Sequence, residues 1–261
     1  ALWRSEHPTI YDRDERTLGA IALETVDGAL VDGIHIDNIV SNGFMTPIFI
    51  RLADRGRNYY DGGPSQTAGI LRNISISNMT AKMYGLVTSS ISGLVNHPVE
   101  NVSLNNIHII CEGGGSEEDA HRRNMGDRNK EYPETLIFAD APAYGFFIRN
   151  VEGLRMQNIF LESQSEDPRS ALYCENVENM SLHRFTFENP EPGAPLIILN
   201  QCANIQISGN LPVGINNTLL QVEGSANRRI TLYNNDLSVY RQPVLFKRGA
   251  RNDAVKCLDS F

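Results

Sequence analysis

The chain has 261 residues, of which 41% are hydrophobic and 21% charged, and its formal net charge is -8 at pH 7. This composition is ordinary for a soluble globular protein, and no run approaches the ~18 apolar residues that a membrane-spanning helix needs. The acidic balance argues against nucleic acid or an anionic membrane surface as the main partner, because both favour a concentrated basic face. We predict neither partner.

The four cysteines, Cys111, Cys174, Cys202 and Cys257, show no CxxC or close Cys/His spacing. Neither a zinc site nor a disulfide framework is therefore indicated. We expect these side chains to be buried as small hydrophobic groups, and we predict no metal or other cofactor.

A ten-residue phrase, typified by VENVSLNNIH at 99–108, recurs along the chain with a shortest interval of about 25 residues. The copies begin at residues 31, 71, 99, 151, 177, 202 and 226. A fixed period of about 20 to 50 residues is typical of solenoids and propellers, but a propeller blade needs about 40 to 45 residues. Short strands with period-two alternation and turn residues, without a helical period, favour a parallel β-helix. We predict an all-β parallel β-helix.

A second short strand precedes each phrase. The segments are IALE (21–24), IFIR (48–51), SSIS (89–92), FFIR (146–149), LYCE (172–175), IILN (197–200), LQVE (220–223) and VLFK (244–247). They predict about eight coils stacked ~4.8 Å apart, with like positions in columns. Turn asparagines Asn38, Asn78, Asn106 and Asn158 share one column, where we expect hydrogen bonds between coils.

We divide the chain into an N-terminal extension or remnant of an upstream coil, residues 1–18, and a single β-helix domain, residues 19–261. The domain carries loop insertions at about 53–69 and 112–143. In the second insertion, Ser116 followed by Asp119 predicts a capped short helix over EEDAHRR. Insertions in a solenoid emerge from one face and often build its binding site.

The last residues of the leading strands form a column that alternation directs outward. Its members are Glu24, Arg51, Ser92, Arg149, Glu175, Asn200, Glu223 and Lys247. One interpretation is a solvated face with ion pairs worth at most about 1 kcal/mol each. The other is a polar groove in which Arg51 and Arg149 hold an anionic chain between the insertions.

His97 and Tyr144 lie at the ends of loops, where an imidazole or an aromatic ring could line a sugar site. Packing is the alternative role for each of them, and the sequence leaves the choice open.

Four stretches resemble the C-terminal half of polygalacturonase-like glycosidases, glycoside hydrolase family 28, especially its bacterial members. They are GAIALETVDGALVDGIHIDNI, TPIFIRLADRGR, GLVNHPVENVSLNNIHIICEGGG and PETLIFADAPAYGFFIRNVEGL, and the resemblance covers roughly residues 19 to 190. It implies a right-handed β-helix from a secreted or periplasmic protein. It also implies inverting hydrolysis of α-galacturonosyl linkages in polygalacturonate or rhamnogalacturonan, with aspartates as acid and base.

The family's Asn-Thr-Asp, Asp-Asp, Gly-His-Gly and Arg-Ile-Lys motifs do not occur in this sequence. We therefore expect the catalytic coils to precede residue 1, so that the missing N-terminal half is a partner of this chain and the chain alone does not hydrolyse pectin. The alternative is a β-helix that works without that centre, binding acidic polysaccharide or serving as a structural solenoid, so whether this chain is an enzyme stays open.

The resemblance also aligns the family's Arg-Ile-Lys with IALE and IFIR, which places Glu24 and Arg51 in the groove column of its substrate-binding lysine. The expected ligand is an acidic polysaccharide or oligosaccharide. The substrate-binding candidates are Glu24, Arg51, His97, Tyr144 and Arg149.

Overall fold

The computed structural model describes residues 2–3, 17–58, 60–64, 66–126, 128–188, 192–210, 218–238 and 240–258, so most of the predicted segment 1–18 lies outside the described residues. The strands are β1 (Leu2–Trp3), β2 (Thr17–Thr25), β3 (Leu30–Leu52), β4 (Ile70–Met83), β5 (Ser89–Ser92), β6 (Val99–Cys111), β7 (Ala143–Ser163), β8 (Ser170–Glu188), β9 (Pro195–Asn200), β10 (Ala203–Ser208), β11 (Thr218–Glu223), β12 (Arg228–Tyr233), β13 (Val244–Lys247) and β14 (Val255–Leu258). The helical elements are α1 (Glu117–His121) and two 3-10 turns, Thr135–Phe138 and Asn252–Ala254. None of the described helices has the length and apolar character needed to cross a membrane.

The protein is nearly all-β, and the described strands pair in parallel. They form two ladders. The leading ladder contains β2, the end of β3, β5, the beginnings of β7 and β8, and then β9, β11 and β13. The second ladder contains the remaining stretches of the long strands together with β1, β4, β6, β10, β12 and β14. All eight predicted leading segments pair in the predicted order.

The register of the second ladder is also the predicted one. Ile74 lies opposite Ile34 on one side and Val102 on the other, and the remaining copies continue in step to Ile230. The ladder then extends by one strand that the sequence did not reveal, with Ile230 opposite Val255. Period-two alternation specifies this register, because a slip of one residue would turn every aliphatic side chain outward.

The turn asparagines combine two roles. Asn38, Asn78, Asn106 and Asn158 have φ between 52° and 60°, a left-handed conformation that asparagine tolerates better than most residues. Asn106 Nδ2 also donates to Asn78 Oδ1 at 2.7 Å, which confirms the expected bond between neighbouring coils. Asn78 Nδ2 continues the chain of amides to Asp37 Oδ1 at 2.8 Å.

The core lies inside the coils, where the inward aliphatic residues of both ladders are almost fully buried. Cys111, Cys174 and Cys202 are buried there, as predicted, but Cys257 is exposed. The prediction for Cys257 was wrong because β14 is paired only with β12 among the described strands, so no described strand covers its other side. A second, smaller cluster lies on the outer face of the leading ladder, and it positions the candidate site.

Candidate functional site

The second insertion, residues 112–142 between β6 and β7, covers the outer face of the leading ladder. It begins with α1, which is capped as predicted: the Ser116 Oγ accepts from the Asp119 backbone N–H at 3.1 Å. Further along, Phe138 packs against two outward aromatic rings of the ladder, Phe49 and Phe147, with centroid separations of 6.5 and 5.0 Å. The insertion therefore adds a second apolar layer outside the coils.

This covering changes the environment of the outward column. The solvated-face interpretation is wrong for Arg51, Ser92 and Glu223, which are only 2%, 4% and 1% exposed. Strand alternation places their side chains outside the coils, as predicted, but the insertion then removes them from water.

An inner pocket lies where the outward column has a small residue, Ser92, between two large ones. Ser92 is the register partner of both Arg51 and Arg149. Neighbouring parallel strands lie ~4.8 Å apart, so the two arginine backbones are separated by about 10 Å with only a serine between them. The resulting cavity of about 280 Å³ is also lined by Arg128 and Phe138.

Arg51 is the unusual group in the inner pocket. Its Nη2 donates to the Arg128 carbonyl oxygen at 2.6 Å, and its guanidinium lies 5.3 Å from the Phe138 ring centroid. Its Nε is buried without a hydrogen-bond partner. In the described part of the chain no carboxylate lies within ion-pairing distance, although Glu131 and Glu24 are near enough to favour its charge. Burial lowers the pKa of Arg51 to about 10, so it remains a cation at pH 7.

The other two arginines of the inner pocket are held in place. Arg149 Nη1 donates to the Gly126 carbonyl at 2.8 Å, and its Nε lies 3.4 Å from Glu175 Oε2. Arg128 donates to the Ile137 carbonyl, and its Nη2 lies 3.2 Å from Asp140 Oδ2. Each of these two cations therefore has a carboxylate within ion-pairing distance, whereas Arg51 has none among the described residues and is favoured only by the more distant charges of Glu131 and Glu24.

An outer cleft of about 800 Å³ adjoins the inner pocket, and Val95 and Asn129 contribute to the walls of both. It lies between the two insertions and the turn at 94–97, and His97 is one of its lining residues. Its charges are mostly paired: Lys130 Nζ lies 3.2 Å from Asp54 Oδ2. The other cation on the described walls, Arg55, is paired with Asp27, which lies outside the cleft lining.

The predicted site residues do not all converge. Arg51 and Arg149 line the inner pocket, and His97 lines the outer cleft. Glu24 lies at the N-terminal end of the column beside Arg51 in register, and its side chain is largely exposed. Partial desolvation of its carboxyl still raises its pKa against the opposing charge of Arg51. Tyr144 has to be withdrawn, because it is 2% exposed within the main core and cannot contact a ligand in the cleft.

Sequence reasoning missed Arg128 and Lys130 as lining residues, and it did not recognise Ser92 as the cause of a pocket. Arg128 and Lys130 belong to the insertion, whose path over the ladder depends on long-range contacts. A signal for the pocket was present, since SSIS stands between IFIR and FFIR and predicts a small residue between two arginines.

The arrangement can hold an anion but offers little for hydrolysis. Among the described residues that line the inner pocket and the outer cleft, Asp54 is the sole carboxylate, and Lys130 neutralises it. Glycoside hydrolysis usually needs two carboxyl groups, one as acid and one as base or nucleophile. No cluster of three or more potential metal ligands occurs among the described residues.

Comparison with known proteins adds little. No protein-family model matches the sequence, and no curated protein matches it. Among solved structures, the chain is similar to one described as a "putative glycosyl hydrolase" from Parabacteroides merdae, with 10% identity and a TM-score of 0.34, over 68% of this chain and 73% of that one. A likeness at this level supports no argument about function.

Proposed function

We propose that this chain is a right-handed parallel β-helix of the pectin-type glycoside hydrolase class, from a secreted or periplasmic protein. It supplies the flank of a groove that binds polygalacturonate or rhamnogalacturonan. Inverting hydrolysis depends on aspartates in upstream coils of the same polypeptide. The resemblance over residues 19 to 190 and the parallel stacking of the strands support this proposal.

The observation that carries the ligand class is the convergence of Arg51, Arg128 and Arg149 on one pocket beside the outer cleft. Guanidinium groups bind carboxylates through directed, charge-assisted hydrogen bonds. Every residue of a galacturonate chain carries a carboxylate, so this polymer matches the pocket chemically. A neutral glucan or xylan would leave the charge of Arg51 without a partner.

The binding test is calorimetric titration with oligogalacturonates at low and high salt. We expect saturable binding that weakens with salt, and about a tenfold or greater loss for Arg149→Gln, since a hydrogen bond to a charged group contributes about 1.5–3 kcal/mol. Arg251→Gln is the matched control, because Arg251 is exposed and pairs with Asp253 far from the pocket. Equal losses in both variants, or binding insensitive to salt, would contradict the proposal.

The catalytic test is release of reducing sugar from polygalacturonate and rhamnogalacturonan. We expect no turnover by this chain alone, and turnover by a polypeptide that includes the upstream coding sequence. Robust hydrolysis by the 261 residues would show that the catalytic carboxylates lie within them.

A second candidate is a module that binds acidic polysaccharide without cleaving it. The observation in its favour is that Asp54, the one described carboxylate lining the site, is paired with Lys130. The extended polypeptide separates the two functions: binding with no hydrolysis by the longer protein favours the binding module. Failure of both chains to bind any acidic saccharide would leave a structural solenoid.

A further inference from the structure

We propose that the inner pocket holds one whole sugar acid with its carboxylate toward Arg51, so that the protein binds acidic saccharides by a chain end and not along their length. This inference rests on the proposed function and adds the mode of binding to it.

The first step is the Arg51 guanidinium, which lines the pocket and has no ion-pairing carboxylate among the described residues. Arg51 is 2% exposed, its Nε has no partner, and its nearest ring contact is with Phe138. A buried cation without a directly hydrogen-bonded counterion is unfavourable, and a buried donor without a protein partner usually has an ion, a ligand or water as its partner. A carboxylate in the pocket would satisfy both the charge and the Nε donor.

The second step is size. A volume of about 280 Å³ is near the lower end of ligand pockets, which range from about 300 to 1,000 Å³. This volume could hold about nine water molecules at ~30 Å³ each, and a carboxylate group would fill only a small part of it. The space therefore suits one six-membered sugar ring together with its carboxylate, and not the carboxylate alone.

The third step is closure. Ser92, Phe138 and Asn150 in the walls are buried, being 4%, 2% and 6% exposed. Phe138 is fixed between the ladder aromatics, and Arg128 is tied to the Ile137 carbonyl. Val95, on the wall shared with the outer cleft, is by contrast 72% exposed. A polymer running through the pocket would need a second opening past the buried walls. The shared walls instead lead back to the outer cleft, where the next sugars of a chain can lie.

The experiment is a titration with a size series, from galacturonic acid through short oligogalacturonates to the long polymer, with stoichiometry measured for each. End binding predicts one protein per available chain end, and an affinity per molecule that stops rising after the shortest oligosaccharides. Internal binding predicts several proteins per polymer, with capacity proportional to polymer mass. That second result would overturn this inference while leaving the proposed function standing, whereas no binding at any length would remove both.

Variants at the pocket give an independent readout. We expect Arg51→Met to weaken binding about tenfold to a hundredfold, while Arg251→Met does not change it. Ser92→Leu, which fills the gap between the arginines, should weaken binding far more than Ser92→Ala does.

Unfolding midpoints separate a ligand role from a structural role for Arg51. Removing a buried charge that has no ion-pair partner should raise the midpoint, and losing the bond to the Arg128 carbonyl should lower it, so Arg51→Met should change the midpoint little. A marked fall in that midpoint, or equal affinities for Ser92→Leu and Ser92→Ala, would contradict the proposal.

Discussion

Arg123 in the second insertion and Glu223 at the end of β11 form a bidentate ion pair, with Nε to Oε2 at 2.7 Å and Nη2 to Oε1 at 3.0 Å. The Glu223 side chain is 1% exposed, and the Arg123 guanidinium lies 5.3 Å from the Tyr173 ring centroid. This contact attaches the beginning of the insertion to the C-terminal coils, far from the point where the insertion leaves the stack.

Loss of this ion pair should loosen the insertion. We expect Arg123→Met to lower the free energy of unfolding by about 3 kcal/mol, because it removes the bidentate partner of a buried carboxylate. Trypsin should then cleave faster after Lys130, which is exposed within the insertion. Arg251→Met, at an exposed pair with Asp253, should change stability by less than about 1 kcal/mol. Equal effects of the two substitutions would show that the Arg123–Glu223 pair stabilises the fold no more than an exposed ion pair does.

The same carboxyl should make stability depend on pH. Burial alone would raise the pKa of Glu223, but the hydrogen bonds and charge of Arg123, with help from Gln221 and Arg248, hold it below its ordinary value. Such a group stabilises the fold above its unfolded pKa of about 4.3, and this contribution is lost as the pH falls through the folded pKa. The stability difference between the parent and Glu223→Gln should therefore be largest near neutral pH and shrink below about pH 4.

Glu175 is a control because its pKa is shifted in the opposite direction to that of Glu223. Burial raises its pKa despite the charges of Arg149 and Arg123. Its ionisation therefore lowers the stability of the fold as the pH rises above the pKa of an unfolded glutamate. Glu175→Gln should gain stability relative to the parent with rising pH, measured by denaturant unfolding across the same range. A response in the same direction for both glutamates would contradict the assigned pKa shifts.

Ser90 should be intolerant of a larger side chain. It is the register partner of both Phe49 and Phe147, and Phe138 of the insertion contacts both of those rings. Ser90→Leu would occupy the space beneath Phe138 and should cost about 1–3 kcal/mol, with faster proteolysis of the insertion. Ser90→Ala should be nearly neutral, since the Oγ is buried without a partner. Similar losses for Leu and Ala would show that size at this position is unimportant.

Asn106 offers a test of the asparagine column. Its φ is 56°, and it donates to Asn78. Asn106→Gly keeps access to that conformation and loses only the hydrogen bond, whereas Asn106→Ala also strains the backbone, so Ala should be about 1 kcal/mol less stable than Gly in denaturant unfolding. Asn105→Ala, at a neighbouring position without positive φ, should change stability by less than about 0.5 kcal/mol. A Gly variant as unstable as the Ala variant would assign the effect to hydrogen bonding alone.

The sequence predicted the strand register because that register depends on local alternation and a regular interval. It could not predict that Arg51 and Glu223 are buried, since their burial depends on the second insertion. That segment is remote from both residues in sequence and lies outside the coils. For Tyr144, alternation alone did not distinguish a loop end from the first inward position of a strand. The asparagines were assigned correctly to a column, but the hydrogen-bond argument overlooked their positive φ, which is the stronger reason for their residue type.

The small outward residues of β5 determine where along the stack a binding site forms. Ser90 accommodates the aromatic anchor of the insertion, and Ser92 leaves the gap between two arginines, so a single four-residue strand determines both where the insertion docks and where the ligand pocket lies. Because every coil presents the same backbone spacing, an equivalent docking point elsewhere would need one small residue between two aromatic residues and another between two arginines. The position of a binding site along the stack is thus separable from the stability of the stack, and it can be altered without redesigning the core.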